Sequence, residues 1–170
     1  RVPIIKHEDI RRILLDMKAI TEGVRAMIFK GFYYLDIAGN SSDREKAKMC
    51  AGLAAVLTPL VKGYGSEVSL GVIAEAMQVL GGVGYTTEYP IEQLMRDSKI
   101  LTIWEGTTFI HGNDLVGRKM RMEEGIPFDN WMATIRDFID SHGNISSFAS
   151  EMGMLQKAYD CVAEIRGLYD

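Results

Sequence analysis

The sequence predicts an all-α fold: an antiparallel four-helix bundle with an additional helical extension at the carboxyl end. Apolar residues recur at spacings of three and four along most of the 170 residues, which is the periodicity of one helix face. Glycine, proline and serine separate these stretches by short connections, and no segment shows a convincing strand alternation. Amphipathic helices joined by short connections favour antiparallel packing, which buries each apolar stripe among the others.

The first two predicted helices lie on either side of a polar turn. The first covers 8–38, and Gly39-Asn40 ends it because both residues tolerate the left-handed conformation that closes a helix. The second covers about 43–64. Ser42, with Glu45 three residues later, has the form of a capping box at its start.

The third and fourth helices are separated by glycines. Pro59 removes a backbone donor, so it predicts a bend or interruption within the second helix, and Gly63 and Gly65 mark the break before the third. Ser66 can cap that third helix, and Gly81-Gly82 ends it. Pro90 suits the first turn of a fourth helix. This helix is interrupted at 102–107, where β-branched residues and a glycine occur, and resumes beyond that point.

The charge of the chain changes sign along its length. Residues 1–122 carry a formal charge of +2, whereas residues 123–170 carry −6. Gly125-Ile126-Pro127 marks the boundary as a turn or short linker, and two further helical stretches follow at about 128–141 and 145–169. We therefore predict a bundle domain over 1–122 and an acidic helical extension over 123–170.

The composition also excludes several classes of function. A net charge of −4 gives no electrostatic reason to expect a nucleic-acid partner. The apolar runs are short, which predicts no membrane span. Cys50 and Cys161 are too few for a disulfide scaffold and fit a reducing compartment, so we expect a cytoplasmic protein. No cluster has metal-ligand spacing, so we predict no metal site. The isolated histidines, His111 among them, are expected to be solvated or hydrogen-bonded.

From its residues alone, the glycine-rich segment at 81–84 is interpreted as a helix cap. It follows a helix instead of a strand and lacks the Lys-Ser/Thr of a phosphate loop. Its neighbours add a more specific signal. Three blocks occur in order: Gln-x-Leu-Gly-Gly-x-Gly-Tyr at 78–85, Glu-Tyr-Pro-x-Glu-x-x-x-Arg-Asp-x-Lys-Ile at 88–100, and Glu-Gly-Thr at 105–107.

Together these blocks closely resemble the carboxy-terminal domain of the acyl-CoA dehydrogenase family of flavoproteins. The resemblance covers roughly 4–121 and is greatest to the longer members, which have an extra carboxy-terminal helical region. It implies that the chain is a fragment of an FAD-dependent enzyme that dehydrogenates an acyl-CoA thioester. It also implies neighbouring copies of the same chain and an electron-accepting flavoprotein as partners, and a fragment that retains FAD poorly.

The resemblance also implies site residues. Glu105 falls where many members place the base that removes the α-proton, and its backbone N–H is expected to help bind the thioester oxygen. Trp104 and Gly106 would contact the acyl substrate. The implied FAD contacts are Gln78, Val79, Leu80, Gly81, Gly82 and Thr107.

Other interpretations of these residues remain open. Glu105 can be an ordinary surface carboxylate at a helix break, and Trp104 a core aromatic. Phe109 and His111 stand where members often have glutamines, one of them a cofactor contact, and Glu8 replaces a glutamine that commonly reaches FAD. A family member that has lost catalysis and acts as a structural or partner-binding module is a second hypothesis, although the Glu105 motif argues against it. A flavin-free bundle would require three ordered motifs to match by chance.

Overall fold

The computed structural model describes residues 2–168, which contain helices and turns and no strand. The predicted all-α fold is confirmed. The α-helices of this region are α1 (Glu8–Asn40), α2 (Arg44–Leu80), α3 (Ile91–Leu101), α4 (Thr108–Asp114), α5 (Ile126–His142) and α6 (Ala149–Gly167). Single 3-10 turns stand at Ile4–Lys6, Gly81–Tyr85, Met122–Gly125 and Ser146–Phe148, and a π-helical turn at Leu115–Lys119.

Helix α2 corrects the predicted break between a second and a third helix. It is continuous through Pro59, which is buried, and through the glycines that follow. The Ser66 hydroxyl donates to the Gly63 carbonyl at 3.1 Å, and the Ser69 hydroxyl donates to the Ser66 carbonyl at 2.9 Å. Ser66 was predicted to cap the start of a third helix, but it lies inside α2 and its hydroxyl bonds to the preceding turn of the same helix. Local signals for a break are overridden by burial of the surrounding turns. The four-helix arrangement itself stays a prediction.

The start of α2 corrects the predicted capping box. The Asp43 carboxylate accepts hydrogen bonds from the backbone N–H groups of Glu45, at 3.0 Å, and Lys46, at 3.1 Å. Asp43 is thus the cap, not Ser42. A carboxylate satisfies two of the free N–H groups and also complements the positive end of the helix dipole.

The described residues form two compact units. One comprises the residues up to Tyr33 together with Leu57–Gly112, and the other comprises Tyr34–Val56 together with the residues from Asn113 onward. The second unit has a core in which Val56 of α2 and Phe128 of α5 are fully buried, beside Met120 and Met132. Residues on both sides of position 122 thus share this core. The division into 1–122 and 123–170 stays a prediction.

The turn before α5 has an unusual backbone. Glu123, Glu124 and Gly125 have φ values of +50°, +59° and +88°, so three successive residues are left-handed. The Arg166 guanidinium of α6 lies against this turn and pairs with Asp129 at 3.0 Å, with only 13% of its side chain exposed. The turn or short linker predicted at 125–127 is therefore an ordered turn that ends at Gly125, and Ile126 and Pro127 already belong to α5.

Gly52 of α2 packs tightly against Pro127 at the start of α5. A Cβ at Gly52 would lie 2.9 Å from Cβ of Pro127 and 3.0 Å from its Cγ, closer than real Cβ atoms approach. We expect Gly52→Ala to lower the free energy of unfolding by about 1–2 kcal/mol, because overpacking exceeds the gain from a better helix former. Gly71→Ala in the same helix, with no atom within 4 Å, should raise it by about 0.5–1 kcal/mol. Urea unfolding measures both, and equal shifts would contradict the close contact.

The region Arg44–Tyr85 is the one candidate for a membrane-spanning helix among the described residues. It is long and apolar enough to cross a bilayer by length and composition, with a mean hydropathy of 1.3 in its best window. The sequence prediction of no membrane span was based on the shortness of the uninterrupted apolar runs, and it stays a prediction. A single such helix is weak evidence, because the core helix of a soluble protein meets the same criterion.

Candidate functional site

The segment after α3 presents Glu105 on a turn of unusual backbone. Trp104 N–H donates to the Ile100 carbonyl at 2.8 Å and makes the last such bond of this helix. Glu105 then has φ +55° and Gly106 has φ +104°. A left-handed conformation costs a non-glycine residue roughly 1–2 kcal/mol. The predicted interruption at 102–107 is confirmed, and its strained residue is the predicted base.

Strain of this kind clusters at functional sites, where the surrounding structure has to hold it in place. The Glu105 side chain is exposed, and Trp104 beside it is 61% exposed. Trp104 is therefore not a core residue of this chain, contrary to the alternative interpretation. The Glu105 backbone N–H has no hydrogen-bond acceptor within residues 2–168. One residue thus offers a carboxylate and a backbone donor side by side.

Two side chains of α2 hold this segment. Lys62 donates to the carbonyl oxygens of Leu101, at 2.5 Å, and Gly106, at 3.0 Å. The Thr108 hydroxyl, at the start of α4, donates to the Glu67 carboxylate. Sequence reasoning missed Lys62. The sequence does contain a signal for it: Lys62 is the one charged residue between Lys48 and Glu67, and a lone charge in an apolar stretch indicates a specific partner.

His111 of α4 lies against the same turn. A Cβ at Gly106 would be 3.1 Å from Nε2 of His111, so a residue without a side chain is needed there for packing as well as for its φ. This Nε2 is buried and has no hydrogen-bond partner among the described residues. The expectation that His111 is solvated or hydrogen-bonded was therefore wrong for this nitrogen. A buried polar atom without a partner is uncommon and adjoins the candidate site.

The predicted cofactor segment forms a separate turn at the end of α2. Gln78 and Leu80 are exposed and Val79 is half-buried, and α2 ends at Leu80, as predicted from the glycines that follow. Gly81 has φ +66°, and no described atom lies within 4 Å of where a Cβ at Gly81 or Gly82 would be placed. The backbone of this turn is open to a ligand.

The structure brings only some of the predicted site residues together. Trp104, Glu105, Gly106 and Thr107 are consecutive on one turn. No hydrogen bond in the described part of the chain joins them to the turn at 78–82. These residues therefore lie on two separate turns of the described chain, and their assignment to substrate and cofactor stays a prediction.

Comparison with known proteins gives the class of this domain. The family model described as acyl-CoA dehydrogenase, C-terminal domain, matches residues 1–120. The chain is 41% identical over 93% of its length to a butyryl-CoA dehydrogenase of Syntrophomonas wolfei, covering 26% of that protein. It is 34% identical over 99% of its length to a broad-specificity linear acyl-CoA dehydrogenase of Mycobacterium tuberculosis, covering 27%. A 3-methylmercaptopropionyl-CoA dehydrogenase of Ruegeria pomeroyi is 43% identical over 73% of the chain, covering 21% of that protein.

The described residues thus form an all-helical domain, and a glutamate with strained backbone follows one of its helices. The chain belongs to the acyl-CoA dehydrogenase family and corresponds to its C-terminal domain. It spans about a quarter of the length of the curated relatives it matches.

Proposed function

We propose that this chain is the C-terminal domain of an FAD-dependent acyl-CoA dehydrogenase, in which Glu105 is the base for α,β-dehydrogenation of an acyl-CoA thioester. The observation that carries the proposal is the left-handed Glu105, exposed at the end of α3 and followed by a glycine of φ +104°. Strained backbone at the one glutamate that the family motif assigns to catalysis supports a functional role over a simple surface role.

The chemistry requires a base and a hydrogen-bond donor at one place. The α-proton of a thioester is weakly acidic, so its removal needs a carboxylate in reach while a donor stabilises the developing enolate oxygen. In this proposal a carboxylate oxygen of Glu105 takes the proton, and the Glu105 N–H donates to the thioester oxygen. When bound, FAD supplies the acceptor for the β-hydride. Trp104 and Gly106 would border the acyl chain.

The residues proposed to hold FAD fit an extended cofactor only in part. The open turn at Gly81-Gly82 lets a ligand approach the backbone, and Thr107 presents an exposed hydroxyl beside the base. Phe109, which is 74% exposed, and Glu8 at the start of α1 offer an apolar and an acidic group where polar neutral contacts are common in the family. We therefore infer that the isolated chain retains FAD poorly, and that domains outside this chain supply much of the cofactor site.

The test of this function uses the full-length protein that carries the domain. Purified protein is expected to be yellow with near-stoichiometric flavin. Acyl-CoA should bleach that flavin, and a panel of acyl-CoA thioesters with an artificial electron acceptor should show turnover. An FAD-loaded protein that binds acyl-CoA but never reduces its flavin would instead favour the alternative of a silent, partner-binding member.

A second copy of this chain and an electron-accepting flavoprotein are the proposed macromolecular partners. Helix α1 supports the first, because Phe29, Phe32 and Tyr33 form an aromatic patch at helical spacing that is 65%, 60% and 54% exposed. Exposed apolar patches of this kind commonly mark interfaces between proteins.

We expect the chain to self-associate at micromolar concentration through this aromatic patch. Light scattering after gel filtration should give a mass above the 19.0 kDa of one chain. Replacing Phe29 and Phe32 by serine should shift the mass towards one chain. Replacing Phe138 by serine, on α5 and 49% exposed, is the matched control and should leave association unchanged. A monomer at all concentrations would contradict the prediction.

A further inference from the structure

One side chain of α2 ties both ends of the turn that carries Glu105. Lys62 Nζ lies 2.5 Å from the carbonyl oxygen of Leu101 and 3.0 Å from that of Gly106. Leu101 is the last residue of α3, and Gly106 follows Glu105 directly. The half-buried ammonium therefore closes a loop over the intervening residues 102–105.

The Leu101 carbonyl is the group that would otherwise keep Glu105 in the helix. In an α-helix the N–H of a residue bonds to the carbonyl four positions earlier, which for Glu105 is Leu101. The structure replaces that bond: Lys62 is the donor to Leu101, and Glu105 turns to φ +55°. A cation is also favoured at this carbonyl by the negative end of the helix dipole.

We propose that Lys62 is a positioning residue for Glu105. By occupying the Leu101 carbonyl it leaves the Glu105 N–H free for the substrate oxygen, and by holding the Gly106 carbonyl it fixes the direction of the glutamate. This inference rests on the proposed function, because it concerns the base named there. Lys62 acts through two backbone carbonyls and needs no contact with the substrate.

The hydrogen bond between Glu67 and Thr108 allows the effect of Lys62 on the 102–105 loop to be measured separately from the attachment of α4 to α2. That bond attaches the start of α4 to α2 without involving either carbonyl that Lys62 holds. Loss of Lys62 should therefore leave α4 attached and release the loop alone. A general structural role would instead loosen α3, α4 and α2 together.

The experiment uses the full-length protein with its FAD and three variants. Lys62→Met keeps the unbranched stem of the side chain as far as Cε but has no group that can donate. Lys62→Arg restores donors in a fork that can reach two carbonyls. Lys48→Met removes another lysine of α2, whose ion pair is with Glu123, and serves as the control. Flavin reduction by acyl-CoA is measured at saturation and at low substrate, and backbone hydrogen exchange is followed over 102–107 without substrate.

In Lys62→Met the reduction rate at saturation should fall about 10–100-fold, with a much smaller change in KM, because a displaced base costs the chemical step. Amide exchange over 102–107 should rise about tenfold or more while α4 stays protected. Lys62→Arg should recover both properties, and Lys48→Met should alter neither. Should Lys62→Met not fold, Lys62→Gln takes its place under the same criteria.

The two proposals can fail separately. Wild-type protein that shows no acyl-CoA-dependent flavin reduction would overturn the proposed function, and the positioning role in catalysis with it. If the wild-type protein is active but amide exchange over 102–107 is the same in Lys62→Met as in the wild type, the Lys62 proposal alone is overturned. Faster exchange with wild-type reduction kinetics would also overturn it, because a free loop would then position the base as well as a held one.

Discussion

Glu105→Gln in the full-length protein should slow flavin reduction by acyl-CoA by a factor on the order of 10² or more, the usual contribution of a positioned base. The amide keeps the size of the side chain and its backbone N–H, so FAD content and acyl-CoA binding should remain nearly intact. What is lost is the oxygen that accepts the α-proton. Rapid mixing with acyl-CoA, followed by flavin absorbance, measures the effect at the chemical step.

Glu124→Gln is the matched control for this substitution. Glu124 is likewise an exposed glutamate in the left-handed conformation, with φ +59°, but it belongs to the turn before α5. The same chemical change in the same backbone conformation should leave flavin reduction at the wild-type rate. Rapid bleaching in a well-folded Glu105→Gln protein would show that the base lies on another residue.

Two of the helix ends were predictable, because their signals are local. The stop at Gly81-Gly82 and the interruption at 102–107 follow from residues at the sites themselves, and both are present in the structure. The continuity of α2 was not predictable in this way. Pro59 is a local signal for a break, and only its burial, which depends on residues distant in sequence, explains why the helix continues.

The candidate site shows the same division. Its glutamate was found from a motif of consecutive residues, whereas Lys62 lies more than forty positions earlier, and its role depends on hydrogen bonds that no sequence spacing encodes. The left-handed φ of Glu105 was equally hidden, since glutamate has no preference for that region. Sequence thus identified the reactive group, and the structure was needed to show what holds it.

Gly125→Ala should lower the free energy of unfolding by about 2–4 kcal/mol, the second large effect we expect. Its φ of +88° is strained for any residue with a Cβ, and that Cβ would lie 2.0 Å from an Nη atom of Arg166. The guanidinium cannot move away cheaply, because it is largely buried and bonded to Asp129 at 3.0 Å and 3.2 Å. Displacing it would leave this charge without its carboxylate.

A double-mutant cycle with Arg166→Ala separates these two causes. Removing the guanidinium leaves the strain at position 125 but abolishes the clash, so Gly125→Ala should cost less in the Arg166→Ala background than in the wild type. The expected difference is about 1–2 kcal/mol of coupling, within the range measured for residues in contact. Urea unfolding of the four proteins gives this number directly. If the two effects are strictly additive, backbone strain alone explains the cost of Gly125→Ala. The Arg166 side chain would then move away from the new methyl group at no cost in free energy.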